Sequence, residues 1–138
     1  MMALHDPQDA RGNDTRVMLM FRLDGVRLVN ETNAREHWAV RSKRARAQRA
    51  AAKLATMSAL RKTAGYWRGM PDNMRAVVTI TRSGKGKLDS DNLAASAKHV
   101  RDGVADALGV DDGSDRLDWK YDQCRGSYGV AITVRFEA

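Results

Sequence analysis

The segment Leu88-Asp89-Ser90-Asp91-Asn92-Leu93 holds two carboxylates two residues apart. In extended chain both side chains point the same way. Carboxylates this close repel unless a cation sits between them, so the spacing suits a hard divalent ion on oxygen ligands. A structural role fits the same residues: Asp91 or Ser90 caps a helix, and Asp89 favours the positive end of its dipole. Asp91, Lys98 and Asp102 fall on one face of a helical wheel, opposite Leu93, Val100 and Val104. On that face the Lys98 ammonium would meet a phosphate held by the metal. The plainer alternative is a surface i,i+4 pair with Asp102, worth roughly a few tenths of a kcal/mol. Asp111 and Asp112 lie beyond that helix, and spacing alone does not bring them to Asp89 and Asp91.

The charge is unevenly placed. The chain has 138 residues with 24 Lys+Arg against 17 Asp+Glu, a formal net charge of +7. Residues 31–62 hold nine of those cations and only Glu31 and Glu36, so this window alone is +7 and the rest of the chain balances. A basic element beside clustered acids suits a nucleic-acid enzyme, with cations on phosphates and carboxylates on a metal. A solvated basic helix and a solvated acidic loop are the alternative. Arg41, Lys43, Arg44, Arg46, Arg49 and Lys53, with Lys85 and Lys87 of a later loop, are the candidate phosphate contacts.

Other chemistries are excluded by composition. The single Cys124 forms no internal disulfide and fits a reducing compartment. With His5, His37 and His99 scattered, a Cys/His zinc site lacks its ligands. Ser83-Gly84-Lys85-Gly86-Lys87 matches neither a P-loop nor a dinucleotide fingerprint, and the acids of 111–115 lack EF-hand spacing. No small-molecule cofactor is therefore expected. No apolar run suits a membrane span and the N-terminal residues show no secretory signal, so a cytoplasmic protein without a membrane partner is expected.

The hydrophobic pattern supplies the elements that must position these groups. Val17–Leu23 reads as a strand, and Asp24-Gly25 as a turn into a short Val26–Val29 strand. Asn33 caps a long helix from about Ala34 to Lys62. Its core face is read as Val40, Ala47, Ala51, Leu54 and Met57, with Arg46, Arg49 and Lys53 outside. Arg75–Arg82 is a β-branched strand, followed by a mobile basic loop, Ser83–Lys87. A second long helix, Asn92–Leu108, has Leu93, Ala97, Val100, Val104 and Leu108 on one face and Gly109 at its end. Leu117–Tyr121 and Tyr128–Phe136 are the last strands. The expected class is α/β (α+β): one domain over 16–138, a mixed sheet of four to five strands and two long helices. Residues 1–15 read as a disordered tail. His37 and Trp38 are read as packing or hydrogen-bonded structure, His99 as incidental and Cys124 as inert.

Taken together, LDSDNL (Leu88–Leu93) and KHVRDGVADALGVDD (Lys98–Asp112) resemble the RusA-type Holliday junction resolvases, especially their phage-encoded members. Asn33-Ala34-Arg35-Glu36-His37-Trp38, the basic helix after it, Gln123 and the strand Tyr128–Phe136 are similar to the same branch, so the resemblance covers about residues 30–138. It implies a RusA-like, homodimeric, Mg²⁺-dependent endodeoxyribonuclease, with Mn²⁺ as substitute, from a phage or prophage in a bacterial cell. Such an enzyme resolves four-way DNA junctions by paired phosphodiester hydrolysis in recombination and repair. By position, Asp89 and Asp91 match the family's paired acids, Asp112 its later acid, with Asp111 the alternative, and Lys98 its helical lysine. The resemblance makes all four catalytic and the three acids metal ligands. Lys98 departs from the pattern by lying about three residues farther from the Asp-Asn-Leu step than in the bacterial enzyme. The other readings are a nuclease of this fold on other branched DNA, and a non-catalytic basic nucleic-acid-binding protein.

Overall fold

The β-branched run Arg75–Gly84 forms β2, and the sheet is built around it. Beside it run β3 (Leu117–Arg125), parallel, and β4 (Gly129–Glu137), antiparallel; β1 (Val17–Asp24) lies antiparallel on the far side of β4. The strand order is thus β1-β4-β2-β3. Three helices complete this small α+β domain: α1 (Trp38–Ala64), α2 (Ser90–Ser96) and α3 (Lys98–Leu108). The structure is a computed structural model and describes residues 17–30 and 37–137. The expected tail over 1–15, the Asn33 cap and the helix start at Ala34 lie outside the described residues.

The register separates two sheet faces. Leu19, Val134, Val78 and Trp119 form one row across the strands, and Met20, Thr133, Thr79 and Lys120 form the next. The first row belongs to the face that packs with Ala52 and Leu60 of α1 and Val100, Val104 and Leu108 of α3. Burying each such large aliphatic side chain is worth about 1.5–3 kcal/mol. Met20, on the other face, is 74% exposed. Because β2 and β3 are parallel, the chain must cross over between them, and α2 and α3 form that crossover.

Several expectations change. Val26–Val29 is not a strand. After Gly25, whose N–H donates to Tyr128 O at 2.9 Å, the chain leaves the sheet, and β1 pairs with β4 alone among the described strands. The Gln48 amide instead holds this segment by donating to Arg27 O at 2.9 Å. In α1 the first helical residue is Trp38, and His37 caps it by accepting from Ala39 N–H at Nδ1, 3.1 Å. Its buried face is Gln48, Ala52, Thr56 and Leu60, while Val40 and Leu54 are 52% and 70% exposed. Apolarity misplaced this face because the contact is a close crossing: a Cβ on Gly103 of α3 would sit 2.8 Å from Ala52 Cβ. Small side chains fit there, and Thr56 satisfies its own hydroxyl on Ala52 O.

The second long helix is two helices. Ala97 N–H turns back to Ala94 O, which interrupts the ladder at Ala97, and Ser96 Oγ donates to Leu93 O beside the break. The core face Leu93, Ala97, Val100, Val104 and Leu108 is nevertheless buried throughout. Gly109 terminates α3 in the left-handed conformation at φ 73°, as its glycine foretells. β3 runs four residues past Tyr121, to Arg125, because β2 pairs with it along its whole length.

Candidate functional site

The site begins where β2 ends. Arg82 shares the inward parity of Ala76, Val78 and Ile80, so a charged side chain is carried into the covered face and is only 7% exposed. Its guanidinium donates to Lys85 O at 3.2 Å, Gly86 O at 3.3 Å and Gln123 Oε1 at 3.4 Å. Gln123, opposite Arg82 in the register, accepts from Leu88 N–H at 3.0 Å and donates to Leu88 O at 2.7 Å. The stretch expected to be a mobile loop is therefore braced: β2 extends through Gly84, and residues 85–88 hang on two side chains. Ser83 Oγ also donates to Ser127 O.

This bracing leads directly into Asp89, the N-cap residue of α2, whose backbone O accepts from Leu93 N–H at 2.7 Å. Its side chain makes no cap hydrogen bond, so side-chain capping does not account for it. Asp91 lies in the first turn, and both acids are exposed. Among the described residues neither carboxylate has a hydrogen-bond or ion-pair partner. Two neighbouring, unpartnered carboxylates form a donor set that fits Mg²⁺, which is commonly held by one or two carboxylates while keeping several waters.

The other predicted residues lie apart from this pair. Lys98 opens α3, beyond the break at Ala97, so no continuous helical face joins it to Asp91. Its Nζ is 3.4 Å from Asp102 Oδ2, the surface pair named as the plainer alternative. Asp112 faces Arg101, with Nε and Oδ2 3.2 Å apart, and its carbonyl accepts from Arg101 Nη2 at 3.1 Å and Trp119 Nε1 at 2.9 Å. Arg101 is further fixed by stacking over Trp119, 4.8 Å from the ring centroid, and by donating to Tyr121 Oη at 2.8 Å. Asp111 is exposed. The anchors of the two regions on β3, Gln123 and Trp119, are four residues apart, roughly 13 Å along the strand. Among the described residues no group of three or more His, Cys, Asp or Glu side chains is placed to hold a metal ion, so Asp112 does not join Asp89 and Asp91.

The basic helix divides as well. Lys43, Arg46, Arg49 and Lys53 are exposed on α1, Arg41 and Arg44 half-buried. Arg46 Nη1 donates to Ser42 Oγ at 2.8 Å. Arg49 is committed to α3: Nε and Nη2 donate to the two Asp106 oxygens at 2.6 and 2.9 Å. The Arg49 hydrogen bond holds Asp106 below the ordinary carboxylate value, against partial burial, with the charges of Arg49 and Lys53 adding to it. That bond and the Asp106 charge raise Arg49 in turn. Lys85 and Lys87 are exposed on the turn before Asp89. Through Gln48 and Arg27, the α1 segment carrying these cations is tied to the 26–30 stretch, which reaches Arg82, Lys85 and Leu88. Arg27, Lys85 and Lys87 thus stand beside the Asp89 turn, and Gln48 ties α1 to the same stretch.

Arg27, Arg82 and Arg101 were not among the candidate residues. Arg82 was detectable, as the one charge inside a β-branched strand at an inward position. Arg27 and Arg101 carry no such signal. His37 is hydrogen-bonded as expected, whereas Trp38 is 69% exposed, tilted at 5.6 Å against the His37 ring. Among the described residues no helix is long and apolar enough to cross a membrane. No family model matches the chain, and no curated protein matches it either.

Proposed function

We propose that the protein is a Mg²⁺-dependent, structure-specific endodeoxyribonuclease of the RusA type, acting on four-way DNA junctions as a homodimer. The observation that carries this reading is the unpartnered pair Asp89 and Asp91, held by Arg82 and Gln123 on a braced turn beside clustered cations. The choice of DNA junction rests on the resemblance of LDSDNL and the Lys98–Asp112 segment to that family.

Asp89 and Asp91 would hold the ion on the braced turn. When bound, Mg²⁺ supplies a more acidic water and neutralises charge at the scissile phosphate. Lys43, Arg46, Lys53, Lys85 and Lys87 hold the strand by its phosphates without reading bases. Lys98 reaches a phosphate only on leaving Asp102. Arg101 fixes Asp112, whose role is to anchor the start of β3 through Trp119. A two-fold dimer presents two such sites to the two strands of a symmetric junction.

A second reading, a non-catalytic nucleic-acid-binding protein, is favoured by one observation: the later acid lies with Arg101 rather than with the pair. Incubation with labelled junction, flap, fork and plain duplex, each with Mg²⁺ or a chelator, separates the readings. The proposal predicts cuts in the junction that need Mg²⁺. Preference for flaps or forks moves the substrate within the fold; salt-sensitive binding with no scission on any substrate establishes the second reading.

A further inference from the structure

A cavity of about 430 Å³ lies beside the Asp89 turn, lined by Arg27, Leu28, Val29, Asn30, Arg82, Lys85 and Leu88. Three of these residues are cations and none is an acid. Arg82 is the unusual member. It is more than nine-tenths buried, yet its guanidinium meets three neutral oxygens, all at 3.2 Å or beyond, and no carboxylate among the described residues. A buried cation without a counter-charge is costly, whereas an anion delivered to it offsets the lost hydration. Arg27 is held in place by stacking on Tyr128, 4.8 Å from the ring centroid, so its head group is preorganised rather than free to swing. Its backbone is fixed separately by Gln48. Lys85 stands on the turn whose carbonyl Arg82 already grips.

We infer that this cavity is a phosphate-binding subsite, taking a backbone phosphodiester of a nucleic-acid strand next to the position of Asp89. The ligand class follows from the donors. Guanidinium groups offer planar, paired N–H donors that match phosphate oxygens, and Lys85 adds a mobile point charge. A backbone phosphate is the same at every nucleotide, so seating a strand here by its phosphate requires no particular base. Leu88 joins the cavity to Asp89, so a strand seated here passes the acid pair. The inference deepens the proposed function and in that respect rests on it, but strand binding itself needs neither the metal nor cleavage.

The test is metal-free binding of the full chain to a fluorescent DNA strand over a salt series, for wild type, Arg27→Gln, Lys85→Gln and the double variant. Both side chains are exposed, so folding should survive; Arg82→Gln is added with its thermal unfolding recorded. Each loss of a phosphate contact should lower the slope of log affinity against log salt by about one, and the double variant by about two. Lys120→Gln, exposed on the opposite sheet face, should leave the slope nearly unchanged. Unchanged slopes in the folded Arg27 and Lys85 variants overturn the inference, even if the enzyme cuts junctions. Lowered slopes in a protein that cuts nothing uphold the subsite and reject the nuclease reading. Inorganic phosphate is titrated in parallel. If it raises the wild-type melting temperature and not that of the variants while DNA slopes stay equal, the ligand is a free phosphate, and the strand assignment falls.

Discussion

Gln123 grips Leu88 by both backbone groups, accepting its N–H at 3.0 Å and donating to its carbonyl at 2.7 Å. One side chain from β3 thereby acts as a strand partner for the residue before Asp89. The acid pair is placed by this clamp and by Arg82, because the Asp89 carboxylate has no bond of its own.

Replacing Gln123 by Leu should therefore loosen Asp89 without touching a reacting atom. Support of this kind around a metal site typically carries about 10–100-fold in activity or metal affinity. The expected result is a comparable fall in Mg²⁺-dependent cleavage at limiting metal, partly recovered at higher Mg²⁺. Gln123→Glu, which keeps the acceptor and loses the donor, should fall between. A loss of rate unaffected by Mg²⁺ concentration would mean that Gln123 is needed for folding alone, and circular dichroism of the same samples checks that.

The Arg49–Asp106 pair makes stability depend on pH in a definite direction. Asp106 titrates lower in the folded chain than in the unfolded one, chiefly through the Arg49 hydrogen bond. The pair's stabilisation is then complete above the ordinary carboxylate value and disappears as pH falls through the depressed folded value. Urea unfolding of wild type and Asp106→Asn should differ at neutral pH and converge in acid. A gap that widens in acid would contradict the assignment.

The same pair predicts unequal roles along the basic helix. Among the described residues Arg46 is exposed with only Ser42 as partner, whereas the charge on Arg49 is already met by Asp106. Arg46→Gln should weaken DNA binding and lower the salt slope by about one. Arg49→Gln should change the slope less and instead cost stability. Fluorescence anisotropy across a salt series compares them directly.

Gly103 marks the closest approach of α1 and α3. A Cβ there would meet Ala52 Cβ at 2.8 Å and Lys53 N at 3.0 Å, besides the Arg49 carbonyl. Backbone cannot yield as a flexible side chain does, so Gly103→Ala should destabilise by about 1–3 kcal/mol despite alanine's better helix propensity. Chemical denaturation measures it, and a stabilised variant would show that the helices can separate.

Two strands were legible because β-branched alternation reports burial on a sheet directly: Arg75–Arg82 and Tyr128–Phe136 were read within two residues of their observed ends, unlike β3 and the expected Val26–Val29 strand. The core face of the second helical region was legible for the same reason, in Leu93, Ala97, Val100, Val104 and Leu108. The break at Ala97, where the backbone N–H turns back to Ala94 O, was not, since no glycine or proline marks it. The face of α1 was misread because its contacts use Gln48, Ala52 and Thr56, residues whose polarity or smallness hides their burial. At the site, the Asp89–Asp91 pair was visible from spacing. The bracing by Arg82 and Gln123, and the distance of Asp112, depend on strand register, which local sequence does not encode.

The central claim is that Asp89 and Asp91 hold a catalytic ion. Its most direct measurement is cleavage of a labelled four-way junction in Mg²⁺ by wild type and by Asp91→Asn, with binding of each followed in the absence of metal. The account predicts paired cuts by wild type, a loss of at least about 100-fold in the variant, and binding that is unchanged or tighter as one repelling charge is removed. Equal cleavage by both proteins, or none by wild type, would contradict it.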